Sequence, residues 1–317
     1  MIDKQFKNLD EQVQIMKNKG MIISDERYAK KILLRENYFF LNGYRHLFLK
    51  SEENRNFKPG TTFEEMYSLF LFDRSMRNIL FKYLLVIENN LKSVISYQLS
   101  KKYGYRERDY LKEKNFTTAP QKQAQLNDLL KKMKRQIRVN GSQHSATLHY
   151  VSNYGYIPLW ILVKVLSFGI VSEMYTILKP EDQKDIGNVY EIDPEIFTIY
   201  LPILANYRNL CAHEDILYEN RTQKEINDTI YHQLLKIPKE DDEYIYGKND
   251  LFALIIIMKQ LLQTEDFKNM VIELDHVIET LNYNLNTISI KDVMKKMGFP
   301  INWTTLANIE RSNDYND

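Results

Sequence analysis

From Met66 the apolar positions Leu69, Phe72, Met76, Ile79, Leu80, Tyr83, Leu84, Ile87, Leu91, Val94 and Ile95 follow at steps of mostly three and four. That spacing predicts a helix of about 30 residues that buries one long stripe. Lys58-Pro59-Gly60 is a loop signal ahead of it, Thr61 or Thr62 can cap it, and Glu64 and Glu65 in its first turn complement the helix dipole. Residues 1–58 read as a small leading helical unit, with short apolar clusters such as Tyr38-Phe39-Phe40-Leu41 around Asn42-Gly43-Tyr44. Residues 159–178 are apolar on most sides and predict a helix central to a bundle, with Pro158 at its first turn. Gly169 inside it costs about 1 kcal/mol relative to Ala, which close helix approach or a local break would explain. Ile196, Ile199, Tyr200, Leu204 and Tyr207 predict another helix, kinked or restarted at Pro202. Further helices follow residue 223, with Lys236-Ile237-Pro238-Lys239 and the acidic run 240–243 as a linker. The expected units are 1–58, 59–222 and 223–317.

Ten glycines and eight prolines in 317 residues suit long helices and disfavour a sandwich or barrel, so the fold class expected is all-α. A 44% apolar and 27% charged composition is that of a globular chain and argues against disorder. Cys211 is the single cysteine, so no intrachain disulfide is possible, and no Cys/His cluster has zinc spacing. No metal or cofactor is expected. The opening Met1-Ile2-Asp3-Lys4-Gln5-Phe6 lacks the apolar core of a signal peptide, and no apolar stretch approaches the roughly 18 residues of a spanning helix. The expectation is a soluble cytoplasmic protein with no membrane partner.

Charge changes this picture locally. The totals of 43 Lys/Arg and 42 Asp/Glu leave a net charge of +1, but residues 99–138 carry twelve basic residues against four acidic ones. Residues 214–317 carry eleven against nineteen, so the molecule is polarised, which is a nucleic-acid signal. Tyr103, Tyr105 and Tyr110 interleave with the first basic cluster, where rings could stack on unpaired bases. The same composition also fits solvated Lys-rich helix faces. On the long helix, Asp73, Arg77, Glu88 and Lys92 fall within a sector of about 100°. Spacing alone reads them as two exposed ion pairs worth a few tenths of a kcal/mol each.

Phosphate-binding glycine loops, dinucleotide fingerprints, His-Glu-x-x-His and nucleophile elbows are missing. Cys211 and His213, two residues apart, would point to different sides of a helix and cannot readily share a proton. What remains is Arg208-Asn209-Leu210-Cys211-Ala212-His213. On a helix Asn209 and His213 share a face, and the long Arg208 side chain can reach around toward it. A guanidinium fork for a phosphate and an imidazole that titrates near neutrality suit phosphodiester cleavage without a metal. The spacing equally fits a helix end where His213 packs or caps and Arg208 pairs with a carboxylate.

The Arg-x4-His spacing resembles the signature of the HEPN superfamily, and the surrounding sequence resembles the Abi family of AbiD/AbiF-type abortive-infection proteins. The stretches that carry this are Phe39-Phe40-Leu41-Asn42-Gly43-Tyr44-Arg45-His46, Phe72-Asp73-Arg74-Ser75-Met76-Arg77 with Ile87-Glu88, Pro158-Leu159-Trp160, Leu166-Ser167-Phe168-Gly169, Tyr207 to His213, and Met297-Gly298-Phe299-Pro300. The resemblance implies a HEPN-like helical bundle in which Arg208 and His213 form half of a metal-independent ribonuclease centre, completed in a homodimer. Asn209 would orient the histidine or the phosphate, Glu88 would hold Arg208, and Asp73 and Arg77 would support the site. Lys92 stands where the family often has Arg, and a lysine cannot make the same bidentate contact. The resemblance also implies antiphage defence and an association with a small noncoding RNA, for which Lys101, Lys102, Arg106, Arg108, Lys131, Lys132, Lys134, Arg135 and Arg138 are the candidate surface. The alternative it leaves is an RNA-binding effector whose motif is catalytically idle.

Overall fold

In the computed structural model, which describes residues 5–51 and 53–310, the helix with the clearest apolar stripe is the longest element. Residues 1–4 of the opening segment considered as a leader lie outside the described residues. Three short helices come first, α1 (Leu9–Asn18), α2 (Glu26–Glu36) and α3 (Tyr38–Asn42), followed by α4 (Phe63–Tyr103). Thr62 caps α4, its hydroxyl accepting from the Glu65 amide at 3.1 Å. At 41 residues α4 is about 60 Å long and exceeds the predicted span at both ends. Next come α5 (Glu107–Tyr110), α6 (Gln123–Asn140), α7 (Ser145–Tyr154), α8 (Leu159–Val165), α9 (Phe168–Thr176), α10 (Pro180–Tyr190) and α11 (Pro194–Ala212). The chain closes with α12 (Ile230–Leu234), a two-stranded hairpin of β1 (Lys239–Glu240) and β2 (Glu243–Tyr244), then α13 (Leu251–Leu261), α14 (Thr264–Asn282) and α15 (Ile290–Met297). The fold is all-α.

Two local readings resolve physically. The predicted 159–178 helix is two helices, because Leu166 is extended and the Ser167 hydroxyl accepts from the Ile170 amide to start α9. Gly169 therefore lies in a first turn beside a break. By contrast, α11 does not restart at Pro202, which removes one backbone donor without ending the helix. The acidic run expected as a linker is the hairpin, with Asp241 and Asp242 both at positive φ as a two-residue hairpin turn requires.

One hydrophobic core runs from Val13 on α1 to Leu306 near the C-terminus. α4 is its axis, with α8, α10, α11, α13 and α14 packed around it. α14 lies antiparallel to α4, since Tyr83 donates its hydroxyl to Glu273 at 2.8 Å while Glu65 meets residues 286–288. α13 is buried at ten of its eleven positions, so the acidic C-terminal third is anchored by an apolar helix. Glu65 adds a polar anchor at the start of α4. Its Oε1 accepts from the backbone amides of Asn286, Thr287 and Ile288 at 2.8, 2.7 and 3.3 Å, with the side chain almost fully buried. Glu65→Ala removes the acceptor from three amides at once. It should cost about 2 kcal/mol, read as a lower urea midpoint, and should make the 284–289 loop the first site of proteolytic nicking.

Candidate active site

α11 begins at Pro194, with the Asp193 carboxylate accepting from the Glu195 amide at 2.8 Å. It buries Phe197, Tyr200, Leu201, Leu204, Tyr207 and Cys211, and this face sets the rotation of the residues between them. The helix ends at Ala212, and His213 is its C-cap, donating its backbone N–H to the Asn209 carbonyl at 3.0 Å. Glu214 turns left-handed at φ +58°, and the Asp215 amide reaches back to the Leu210 carbonyl at 3.2 Å. This is a Schellman closure with glutamate in the place glycine usually takes, and it fixes the backbone on which His213 sits. The His213 ring is exposed, as is Asn209.

Arg208 faces the other way. Five residues from His213 along α11, it is separated by about 140° around the axis and about 7.5 Å along it. Its Nε donates to Glu88 Oε2 on α4 at 3.1 Å, and its guanidinium carbon lies 5.6 Å from the centre of the Phe81 ring. The other Glu88 oxygen accepts from Lys92 Nζ at 2.7 Å. Glu88 and Lys92 are buried, whereas the Arg208 side chain keeps 27% of its surface exposed. Held by Nε alone, Arg208 makes no hydrogen bond through its two terminal nitrogens to any described residue.

The second pair on α4 is buried still deeper. Asp73 accepts from the Tyr44 hydroxyl at 2.7 Å, from Arg77, and from the amides of Leu217 and Tyr218 at 3.0 and 2.8 Å. The same Arg77 nitrogen donates to the Asp215 carbonyl at 3.1 Å. Burial pushes the Asp73 carboxyl up, opposed by Arg77, Tyr44 and the two amides. Burial, with Asp73 beside it, also raises the Tyr44 phenol, which therefore stays a donor. The expectation of two exposed ion pairs is thus corrected, because both lie under α11 and the loop that follows it. Four-residue spacing identifies the pairing but carries no information about what covers it. Tyr44, Phe81 and the 215–218 backbone are parts of this site that spacing did not suggest. Tyr44 lay inside a stretch singled out above, without a role.

The structure therefore joins Arg208 to Glu88 and Lys92, and joins Asp73 and Arg77 to the loop after His213. Arg208 and His213 share no hydrogen bond. Cys211 is buried, and burial pushes its thiol up to about 12, so it is a packing residue rather than a nucleophile.

The basic segment divides. Lys102 is paired with Asp182 at 2.5 Å, and Lys132 bridges Asp128 and Glu173 at 2.6 and 2.9 Å. Lys131, Lys134, Arg135 and Arg138 form an exposed stripe on α6, opposite the buried Leu126, Leu129, Leu130 and Met133. Lys101 and Arg108 are exposed, and Arg106 lies over Tyr156 at 4.9 Å. Of the three tyrosines read as stacking rings, Tyr110 is buried with its hydroxyl on the Ile157 carbonyl, and Tyr103 donates to Asp182 at 2.7 Å. Only Tyr105 of the three is open to solvent.

Fold and site together define an all-α protein whose α11 ends in an Arg-x4-His motif, with the arginine clamped to the central helix and the histidine at an open cap. A family model described as Abi-like protein matches residues 31–219, and the chain belongs to that family. Searches of curated proteins and of solved structures gave no match. Among the described residues no helix is long and apolar enough to cross a membrane.

Glu88 sits between two cations, so its removal should do more than loosen Arg208. Glu88→Ala leaves Lys92 buried without a counter-charge and should cost about 3 kcal/mol in urea denaturation, while Glu88→Ala combined with Lys92→Met should recover most of it.

Proposed function

We propose that this protein is an antiphage abortive-infection effector of the cytoplasm, a HEPN-like, metal-independent endoribonuclease that acts as a homodimer with a composite site and is regulated by a bound RNA. The observation that carries the reading is the Arg208 clamp. Glu88 holds the guanidinium by Nε and no described residue takes its terminal nitrogens, which are left for a second, anionic partner, at the end of a helix whose exposed cap carries an imidazole hydrogen-bonded to no described residue. In the reaction the RNA 2′-oxygen attacks the adjacent phosphorus as the bond to the 5′-oxygen breaks, giving a cyclic phosphate and a free 5′-hydroxyl. His213 moves the proton at the 2′- or 5′-oxygen, and Arg208 stabilises charge on the phosphoryl oxygens. Asn209, one helical turn before His213, orients the imidazole or the phosphate. Glu88 is a positioning residue, and Asp73 with Arg77 fixes the loop that closes α11.

The α6 stripe supports RNA as the polyanion, and the same stripe favours one other reading, an RNA-binding effector with an idle motif. Three variants separate them. His213→Ala, Arg208→Ala and Arg208→Lys should each lower cleavage of a single-stranded RNA and cellular toxicity by about 10²–10³-fold, with little change in melting temperature or RNA affinity. If purified protein freed of bound RNA cuts no RNA under any activating condition, the ribonuclease reading fails. Charge reversal of Lys131, Lys134, Arg135 and Arg138 should lower the slope of log affinity against log salt by about 3, at roughly 0.7 per lost phosphate contact on single strands. If that reversal abolishes function while His213→Ala leaves it intact, the binding reading is correct.

A further inference from the structure

α7 is an unusual helix for this bundle, because Thr147 is its single buried residue of ten. Along it, and on toward α8, runs a row of rings. His149, Tyr150 and Tyr154 lie on α7, with Tyr150 and Tyr154 centred 5.4 Å apart. Tyr154 then meets Tyr156 at 6.3 Å, Tyr156 meets Tyr105 at 5.7 Å, and Tyr105 meets Trp160 on α8 at 5.7 Å. Gly155, at φ +71°, makes the turn that lets the row pass from α7 to the loop before α8. That loop is pinned from both sides, since Glu107 accepts from the Ile157 amide and Tyr110 donates to the Ile157 carbonyl at 2.8 Å.

Such a row could be closed packing, but its faces are open. Tyr105 is 40% exposed, Trp160 43% and Tyr154 57%. Arg106 brings positive charge onto it, beside the Glu107 carboxylate that holds the Ile157 amide. Arg106 lies over both Tyr156 and Tyr105, at 4.9 and 5.9 Å, and the α6 stripe ends at Arg138, seven residues before α7 begins. Open rings in tilted contact, on a loop held through the Ile157 backbone and with the Arg106 guanidinium over two of them, match the chemistry of unpaired bases on a phosphate backbone. A duplex hides its base faces and cannot use such a surface. A protein partner with carboxylates would also pair with the cations; the single strand is favoured because each of its nucleotides brings a flat ring and a phosphate together.

We propose that the ring row running from α7 through Tyr156 and Tyr105 to Trp160 is a stacking platform for single-stranded RNA, with Arg106 and the α6 stripe taking its phosphates. The platform rests on the RNA reading above but not on cleavage. It adjoins the C-terminal end of α4, fifteen residues and about 22 Å along the helix from Glu88, so it is a binding contact separate from the Arg208 clamp.

The test uses the full-length protein and a labelled 2′-O-methyl oligouridylate, which cannot be cut by 2′-hydroxyl attack, alone and annealed to its complement. Trp303 is buried, so quenching of tryptophan emission on binding reports Trp160. The single strand should bind and quench, and the duplex should bind more weakly without quenching. Tyr154→Ala and Trp160→Ala should each weaken single-strand binding by about 5- to 100-fold with an unchanged salt slope, while Tyr154→Phe and Trp160→Phe stay within about threefold of the parent. Parent protein that binds the strand, with alanine variants that bind equally well, overturns the platform and leaves the RNA reading standing. Parent protein that binds no RNA overturns both. Alanine variants that lose affinity only because sedimentation shows the dimer has come apart would make the row a contact between copies, and the platform falls.

Discussion

The interaction on which most else depends is the buried carboxylate of Asp73. Four donors converge on it, two of them side chains from the leading unit and α4, and two of them backbone amides of the loop after His213. A charge so far from water is tolerated only when its partners are fixed, and fixing them is also what it does for the fold. Tyr44 cannot shift without leaving Asp73 short of a donor, and Tyr44 also stacks on Tyr218 and meets Phe70 edge-on. Arg77 carries the constraint one step further, to the Asp215 carbonyl. The Schellman closure that sets His213 is thus held from below by α4 and from outside by the leading unit.

The same device recurs along α4. Glu65 gathers the 286–288 backbone, Asp73 the 215–218 loop, and Glu88 the side chain of Arg208. Apolar burial gives the bundle its cohesion, but it is non-directional and would allow α11 and α14 to slide. Each carboxylate accepts from specific partners over a distance of a few tenths of an ångström, so the three together set register along a helix of about 60 Å. Arg74 adds an outer clasp, binding Glu36 on α2 through two parallel hydrogen bonds of 3.1 and 2.6 Å.

Much of this was legible in the chain and some of it was not, for reasons of physics. Helix α4 declared itself because apolar periodicity, a threonine cap and acidic first-turn residues all agree. At 208–213 the sequence offered residue types suited to holding a phosphate and moving a proton, and the structure adds where they stand, Arg208 on Glu88 and His213 at the helix cap. Burial of Asp73 and Glu88 was not legible, since a four-residue ion pair has the same spacing in solvent as under a neighbouring helix. The break at Leu166 was marked only by Gly169, a residue equally compatible with close packing. The ring row was invisible because its members come from α7, from the loop before α8, from α8 itself and from the bend between α4 and α5, and sequence order does not place them in line. Tyr103 and Tyr110, close to Tyr105 in sequence, were drawn into other work by Asp182 and Ile157.

The two motif residues differ in a way that bears on how such a site can work. Arg208 is held through Nε on a buried carboxylate, and His213, an exposed residue, is held among the described residues through its backbone. Restraint of the arginine lowers the entropy lost when an anion binds, because the guanidinium plane is already set by Glu88 and Phe81. The His213 ring, at the exposed cap, is set by no such contact among the described residues. The two stand about 140° apart around α11, so the contact that sets one does not set the other. Under the composite site proposed above, a second copy docked at this helix end would bring the same two parts, an arginine held on α4 and a histidine at an exposed cap.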